Sequence, residues 1–272
     1  MDARDQVRPS FILLLQDAND ARYYWFRLMV VSLIWFIYDF SAYSFSIYSS
    51  SWLAIILGKS APLWKTFGWN TLINVFYLPG AIGGAYLSDW IGPRYALAIG
   101  VFLQGIIGFL MAGIYGTLNT PAHVGGFVVV YGIFLSLGEA GPGDNIGLVA
   151  SKTSATAVRG QYYAIAAAFG KIGAFVGTYV FPVIQNHAPG GPDGVRGGQD
   201  PFFASSSLCL LSAALVFLLP HIGQDTITTE DINFRAYLEA NGWDTRLMGT
   251  KEYQMASNST VDSRLDPVAP KI

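Results

Sequence analysis

Long stretches almost without charge are the feature that most restricts how this chain can fold. Histidine apart, each holds only one or two acidic or basic side chains: Asp39 within 28–58, Glu139 and Asp144 within 120–150, and Lys171 within 160–192. An α-helix needs about 20 predominantly apolar residues to cross a hydrocarbon layer of ~30 Å. The stretches meet this requirement, and the sequence therefore predicts an integral membrane protein in contact with the lipid bilayer.

Six apolar spans can be drawn along the chain, and we interpret all of them as helices: about 28–57, 67–88, 95–116, 124–150, 160–184 and 202–220. Short connections rich in glycine, proline and polar residues separate them, as is typical of turns. The predicted fold class is an all-α membrane protein with six transmembrane helices. We expect an N-terminal segment over 1–24, a six-helix bundle over 25–220, and a tail over 221–272 with a short helix near 229–240.

The composition argues against several classes of function. The formal net charge is -2, and no cluster of basic residues interleaved with aromatic residues appears, so we expect no nucleic-acid partner. We find no nucleophile beside a base and no run of metal ligands, and therefore expect no enzyme, no metal and no cofactor. The string GPGDNIG comes close to a dinucleotide fingerprint, but its third glycine, Gly147, falls one place late and no strand precedes it.

Asp39 lies in the middle of the first span, where an ionisable residue is costly and is a candidate for function. Trp35, Asp39 and Tyr43 recur every four residues and so share one face of a helix. Three serines extend this face, which resembles the lining of a wet cavity: Ser32, Ser46 and Ser50. The alternative is an aspartate that a structural partner satisfies within the bundle.

The fourth span contains the string LGEAGPGDNIG, in which Pro142 lies between two glycines. Proline removes a backbone hydrogen bond and kinks a helix, and such breaks in a membrane occur where the freed carbonyl groups line a cavity or meet another helix. Asp144 and Asn145 follow the break directly. The pattern predicts that these two side chains face a binding site.

Lys171 lies at the centre of the apolar segment AIAAAFGKIGAFVGTY. We interpret it as a fixed positive charge for an anion, or for a carboxylate when the anion is absent. A purely structural ion pair is the alternative. The two interpretations are compatible if the acidic partner exchanges with the substrate.

The string AYLSDWIGPRYAL resembles the cytoplasmic loop signature of the major facilitator superfamily, with Ala85 in the place of the signature's first glycine. Asp89, Gly92 and Arg94 match signature positions, and the resemblance implies that they lie in a cytoplasmic loop. The signature follows the second span of each six-helix half in that superfamily. The chain would then be the C-terminal six-helix bundle of such a fold, with both termini cytoplasmic and an N-terminal six-helix half missing.

Within this superfamily the chain resembles the fungal phosphate:proton symporters, and among them the glycerophosphoinositol permeases, through GEAGPGDNIGLVASKTSATAVRGQYY and AFGKIGAFVGTYVFP. The resemblance implies that four residues lie at substrate and proton positions: Trp35, Asp39, Tyr43 and Lys171. Gly143 stands where the phosphate symporters carry an asparagine. This departure implies a bulkier substrate than inorganic phosphate.

The resemblance implies transport of a glycerophosphodiester by proton symport across the plasma membrane. Lys171 would attract the phosphate-containing anion, and Asp39 would carry the proton. Four further residues would contact or shape the substrate: Trp35, Tyr43, Asp144 and Asn145. The alternatives are inorganic phosphate:proton symport and, from another class, a non-transporting truncated membrane protein or nutrient sensor.

Overall fold

The structure is a computed structural model that describes residues 20–58, 60–223 and 226–240. The predicted N-terminal segment up to residue 19 and the tail beyond residue 240 lie outside these residues. The described part is helical and contains no strand. Its α-helices are α1 (Asp20–Leu57), α2 (Leu63–Val75), α3 (Tyr77–Ile91), α4 (Pro93–Leu118), α5 (Val124–Gly138), α6 (Asp144–Lys152), α7 (Arg159–His187), α8 (Val195–Val216) and α9 (Thr226–Ala240).

Four candidate membrane spans are long and apolar enough to cross a bilayer: Tyr24–Leu57, Pro93–Leu118, Pro121–Lys152 and Arg159–His187. The predicted second span is divided at Phe76 into α2 and α3, of 13 and 15 residues, and each piece is short for a crossing. The predicted sixth span corresponds to α8, which has 22 residues but begins with the polar run VRGGQD. The structure thus supports a multi-pass helical membrane protein with four clear spans.

Close contact between α1 and α7 organises one side of the bundle, and α4 packs along α8 on the other. Gly173 and Gly177 lie against the backbone of α1, where an added Cβ would collide with the carbonyl oxygens of Phe36 and Phe40. Small residues allow helices in a membrane to approach closely, since apolar side chains gain little by leaving lipid. The glycines of the fifth span therefore hold α7 directly on α1.

Two groups of buried side chains form the core. One is dominated by aromatic rings that contact each other, among them Phe45, Trp52, Tyr131, Phe134 and Phe202. The other is largely aliphatic and includes Val31, Leu97, Val149, Ala166 and Val216. Along α1, Trp35 packs against the aliphatic group and Phe40 belongs to the aromatic group, so the segment 35–43, which carries Asp39, joins the two.

The loop signature forms the junction of α3 and α4. Gly92 ends α3 with a φ of 88°, a conformation that strongly favours glycine, and Pro93 begins α4. The Arg94 guanidinium donates to the carbonyl oxygen of Phe217 at 2.9 Å, while Asp89 is exposed. This junction lies at one end of the helices, away from the charges at mid-span.

The helix after the last span docks on the body of the protein through a buried ion pair. The Arg27 guanidinium donates to the Glu230 carboxylate at 2.8 Å, and the Tyr24 hydroxyl donates to the same carboxylate at 2.9 Å. An apolar cluster lies beside the pair: Phe234 and Leu238 of α9 with Ala155 and Val158 of the α6–α7 loop. The helix α9 is therefore part of the folded core.

Candidate functional site

Lys171, Asp39 and Tyr43 meet at the middle of the α1–α7 contact. The Lys171 ammonium donates to the Tyr43 hydroxyl at 2.6 Å and to Asp39 Oδ2 at 3.3 Å. Lys171 Nζ also lies 4.4 Å from the centroid of the Tyr43 ring, within the range of a cation–π interaction. Gly170, one residue before the lysine, leaves the space into which the Trp35 ring and the Asp39 carboxylate project.

The two charges of this pair differ greatly in exposure. The Asp39 side chain is 4% exposed, whereas the Lys171 side chain is 63% exposed. The lysine therefore neutralises a buried acid and still presents donors to the outside of the bundle. A positive charge in this position can receive an anion without a large rearrangement of the helices.

A cavity of about 550 Å³ opens beside this pair, and we call it the central cavity. Residues of α1, α7 and the broken fourth span line it, including Trp35, Asp39, Tyr43, Asp144 and Tyr163. The Trp35 and Tyr163 rings meet edge to face, with their centroids 5.3 Å apart. The volume lies within the range of small-molecule sites.

The break in the fourth span consists of a π-helical turn over Glu139–Gly143 between α5 and α6. Pro142 supplies no N–H within this turn. The Asn145 side-chain amide donates to the carbonyl oxygens of Ala140 and Gly141 at 3.0 and 2.9 Å, and the Gly141 oxygen also accepts from the Asp144 backbone N–H. Asn145 is fully buried and does not line the central cavity. The structure thus does not bring this predicted substrate contact to the cavity, because its amide is engaged by backbone carbonyl groups inside the break.

Asp144 does reach the central cavity, and it lies at the contact between the break and α3. Its Oδ2 atom is buried and has no hydrogen-bond partner among the described residues. Gly84 of α3 makes room for this oxygen, since a Cβ there would collide with it and with the backbone of Ala140. The carboxylate is therefore held by the close approach of two helices.

Two further residues of the cavity had no predicted role. Glu139 is one of the four charges inside the apolar spans, and it lines the cavity together with Tyr38. An added Cβ on Gly143 would lie 2.7 Å from Glu139 Oε2 and 3.1 Å from the Tyr38 hydroxyl. The glycine thus leaves these polar groups open to the cavity. The charge of Glu139 was a signal in the sequence, but Tyr38 carried none.

The remaining predicted residues lie elsewhere. Ser32 is buried among aliphatic side chains, and neither Ser46 nor Ser50 belongs to the cavity lining. Asp89 and Gly92 line a separate cavity of about 220 Å³ at the α3–α4 junction.

Comparison with known proteins identifies the kind of molecule to which this site belongs. The sequence pattern of the "Sugar (and other) transporter" family matches residues 4–229. The chain belongs to this family. Its membership confirms the resemblance to the major facilitator superfamily and the expectation that the protein is not an enzyme.

Two relatives from Candida albicans are similar to the chain along most of its length. The major glycerophosphoinositol permease GIT3 and the glycerophosphocholine permease GIT4 are each 55% identical to it over 232 residues. In both cases the match covers 84% of this chain and 42% of the relative. The chain thus spans less than half the length of the curated relatives that it matches.

A solved structure has the same fold. The inward-open xylose transporter XylE from E. coli superposes with a TM-score of 0.57 and 14% sequence identity, over 91% of this chain and 58% of that one. At this identity the likeness concerns the fold alone. Together with the family match, it supports an integral, multi-pass membrane protein with the major facilitator fold.

Proposed function

We propose that the chain forms the C-terminal six-helix bundle of a permease that imports a glycerophosphodiester, such as glycerophosphoinositol, together with protons. The observation that carries this proposal is the Asp39–Lys171 pair, a mid-span cation that is largely exposed beside a cavity. The names of the two Candida relatives support the choice of substrate.

The exposed lysine provides the anion site in this proposal. The phosphodiester takes the place of Asp39 on the Lys171 ammonium, while Tyr43 keeps its hydrogen bond to that ammonium. Charge-assisted hydrogen bonds of this kind are about twice as strong as neutral ones. Trp35 and Asp144 shape the space around the bound molecule.

The same exchange couples transport to protons. Asp39 remains buried when the anion occupies Lys171, and a buried carboxylate without a cationic partner is costly. A proton bound by Asp39 removes this cost, so anion and proton enter together. Asp144, whose Oδ2 atom has no partner among the described residues, is the reserve proton carrier.

The size of the central cavity favours a phosphodiester over inorganic phosphate. Gly143 adds no side chain to the lining, so that space remains in front of Glu139 and Tyr38. Lys171 does not itself line the cavity, but it contacts Asp39 and Tyr43, which do. The phosphate group would lie beside these two residues, and the alcohol esterified to it would extend toward the break. Asn145 acts in this proposal by holding the break, rather than by contact with substrate.

A second six-helix bundle would complete the site. Helix α7 is the least buried of the four candidate spans, and large apolar side chains lie exposed along it: Phe169, Ile172, Phe175 and Tyr179. In this proposal α2 and α3 together form one of the two remaining spans, and α8 forms the other. Both termini lie on the cytoplasmic side of the plasma membrane. Substrates of such transporters bind between two repeats that move against each other.

Uptake of labelled substrates tests the proposal. Yeast cells without their own glycerophosphodiester uptake would express the chain alone, or together with the N-terminal half of the 55% identical glycerophosphoinositol permease. We expect uptake of glycerophosphoinositol that excess phosphate does not displace and that Lys171→Ala and Asp39→Asn abolish. Lys65→Ala is the matched control, because Lys65 lies outside the central cavity.

Two outcomes would contradict the proposal. Strong phosphate uptake that the diester does not affect would favour inorganic phosphate symport. A non-transporting protein would be favoured if the wild-type chain reaches the membrane but takes up neither compound, whether it is expressed alone or together with the N-terminal half.

A further inference from the structure

A second large cavity lies at the end of the bundle opposite the α3–α4 junction, and we call it the α2 cavity. Its volume is about 490 Å³, and it lies between the α1–α2 connection, the first turns of α2 and the start of α5. Lys65 and Trp69, about one helical turn apart on α2, line it together with Ser60. It shares no lining residue with the central cavity, so it needs an explanation of its own.

Lys65 supplies the charge of the α2 cavity. Among the described residues that line this cavity none is acidic, and Lys65 forms no ion pair within the part of the chain that the structure describes. Arg196, at the same end of the bundle, is paired instead with Asp200. The Lys65 ammonium is therefore available to a negative group from outside the bundle.

An exposed apolar stripe runs from Lys65 along α2 toward α3. Gly68, Leu72 and Val75 follow the lysine by three, seven and ten residues, and so lie on the same side of the helix. Leu72 and Val75 are 44% and 48% exposed, and a Cβ on Gly68 would meet no atom within 4 Å. We call these three residues the α2 stripe. The glycine leaves a shallow gap in it, directly after the lysine.

The residues around Lys65 are those typical of the boundary between lipid and water. Trp64 and Phe67 are largely exposed beside it, and Trp69 lies one turn further along. Tryptophan is enriched at this boundary, and a lysine near the end of a membrane helix extends its ammonium toward the polar side. At this level the α2 stripe faces acyl chains, while Lys65 faces lipid head groups.

We propose that the α2 cavity holds the phosphate group of a membrane glycerophospholipid, with one acyl chain lying along the α2 stripe. Lys65 donates charge-assisted hydrogen bonds to the phosphate oxygens, and Ser60 adds a hydroxyl donor. One lipid molecule supplies both the anion that the lysine lacks and the hydrocarbon that the stripe requires. A soluble phosphate supplies only the anion. The lipid site is separate from the proposed transport function and does not depend on it.

Native mass spectrometry of the full chain, purified in detergent and mixed with lipid, tests the site. The probes are phosphatidylglycerol and a diacylglycerol with the same acyl chains, so that only the phosphate-containing head group differs. Lys65→Ala removes the cation, Lys65→Arg keeps it, and Gly68→Phe fills the gap in the α2 stripe.

Two further variants serve as matched controls. Arg196→Ala removes a base at the same end of the bundle that already has an acidic partner, Asp200. Gly113→Phe adds the same ring to α4, at a glycine whose Cβ would also meet no atom within 4 Å. The unfolding temperature of each variant without added lipid shows whether it is folded.

We expect the wild-type chain to retain phosphatidylglycerol in preference to diacylglycerol, and excess inorganic phosphate not to displace it. Lys65→Ala should weaken the retention of phosphatidylglycerol about fivefold, whereas Lys65→Arg should preserve it. Gly68→Phe should also weaken it, because the acyl chain loses its place on the helix. Both control variants should retain the lipid as the wild-type chain does.

Each contrary result has a distinct meaning. Equal retention of the two lipids, or retention of phosphatidylglycerol that Lys65→Ala leaves unchanged, overturns the lipid site. Displacement by inorganic phosphate also overturns it and indicates a site for a free anion. Loss of the lipid when the N-terminal half of a relative is bound would assign the α2 stripe to the contact between bundles. Lipid retention through Lys65, in a chain that takes up no diester, supports the site and contradicts only the proposed function.

Discussion

Two ion pairs extend from the same helix, α1, and they differ in length and in the exposure of their basic residue. Arg27 and Glu230 are 2.8 Å apart with side chains only 4% and 7% exposed. Asp39 and Lys171 are 3.3 Å apart, and the lysine side chain is 63% exposed. We call the first the closed pair and the second the open pair.

The difference separates a pair that holds the fold from a pair that is available for exchange. The closed pair also receives a hydrogen bond from Tyr24, so its acid is well satisfied by the protein. The open pair is longer, and its lysine is already shared with Tyr43. A substrate anion can replace the acid of the open pair, whereas no solute reaches the closed pair.

Removing one member of the closed pair should have the largest effect on stability. Glu230→Ala leaves the Arg27 guanidinium buried without its carboxylate, and breaking a buried ion pair in this way costs about 3–5 kcal/mol. We expect a lower unfolding temperature in detergent and faster proteolysis of α9. Asp193→Ala is the control, and an unfolding temperature equal to that of the control would show that the closed pair does not hold α9.

Removing the cation of the open pair should act on ligand binding instead. Lys171→Ala deletes a charge-assisted interaction of about 1.5–3 kcal/mol, which corresponds to a loss of affinity of roughly 10- to 150-fold for a phosphodiester. The lysine is mostly exposed, and the buried Asp39 can bind a proton once its cation is gone, so the loss of stability should be smaller than that caused by Glu230→Ala. Equilibrium binding and thermal unfolding of one preparation measure both. A large fall in stability with unchanged affinity would make the open pair structural.

The spacing of α1 and α7 should control the geometry of the open pair. Gly173→Ala forces a Cβ into the backbone of Phe36, and overpacking of this kind costs about 1–3 kcal/mol. Affinity should fall with stability, since Lys171 moves away from Asp39. Gly83→Ala is the matched control because its Cβ would meet no atom within 4 Å. Equal unfolding temperatures for the two variants would exclude this role of Gly173.

The smallest effect should come from the tyrosine that shares the lysine. Tyr43→Phe removes the hydroxyl acceptor but keeps the ring beneath the ammonium, so about 0.5–1.5 kcal/mol of interaction is lost. We expect a two- to tenfold weaker affinity for the phosphodiester, and little change in the unfolding temperature. Tyr179→Phe, on an exposed part of α7, is the control. Complete loss of binding would mean that Tyr43 contacts the substrate directly.

Much of the α1 side of the site follows from local rules. Trp35, Asp39 and Tyr43 share a face because four residues make about one helical turn, and Lys171 stands out as the one charge of its segment. An isolated charge in an apolar helix needs an opposite charge, and this makes a partner such as Asp39 foreseeable. Their meeting depends on Gly170 and Gly173, whose close approach to α1 only the structure shows.

The break in the fourth span could be predicted from the sequence, but the directions of the side chains around it could not. Pro142 between two glycines predicted the interruption of the helix. The sequence did not predict that the π-helical turn would place Asn145 in the protein interior and Glu139 at the cavity. A periodicity of 3.6 residues does not hold across such a turn. The side of α6 on which a residue lies could therefore not be predicted from the periodicity of α5. The closed pair was equally hidden, since its members are 203 positions apart in the chain.

The sequence by itself determined the membrane environment, the helical class, the break at Pro142 and the placement of single charges in apolar spans, because each depends on composition or on neighbours within a few turns. The tertiary structure decided which charges became partners, which amide was used inside the break, and which lysine stayed exposed. These outcomes depend on how closely α1, α3 and α7 approach one another. That approach is set by glycines that meet backbone from distant parts of the chain.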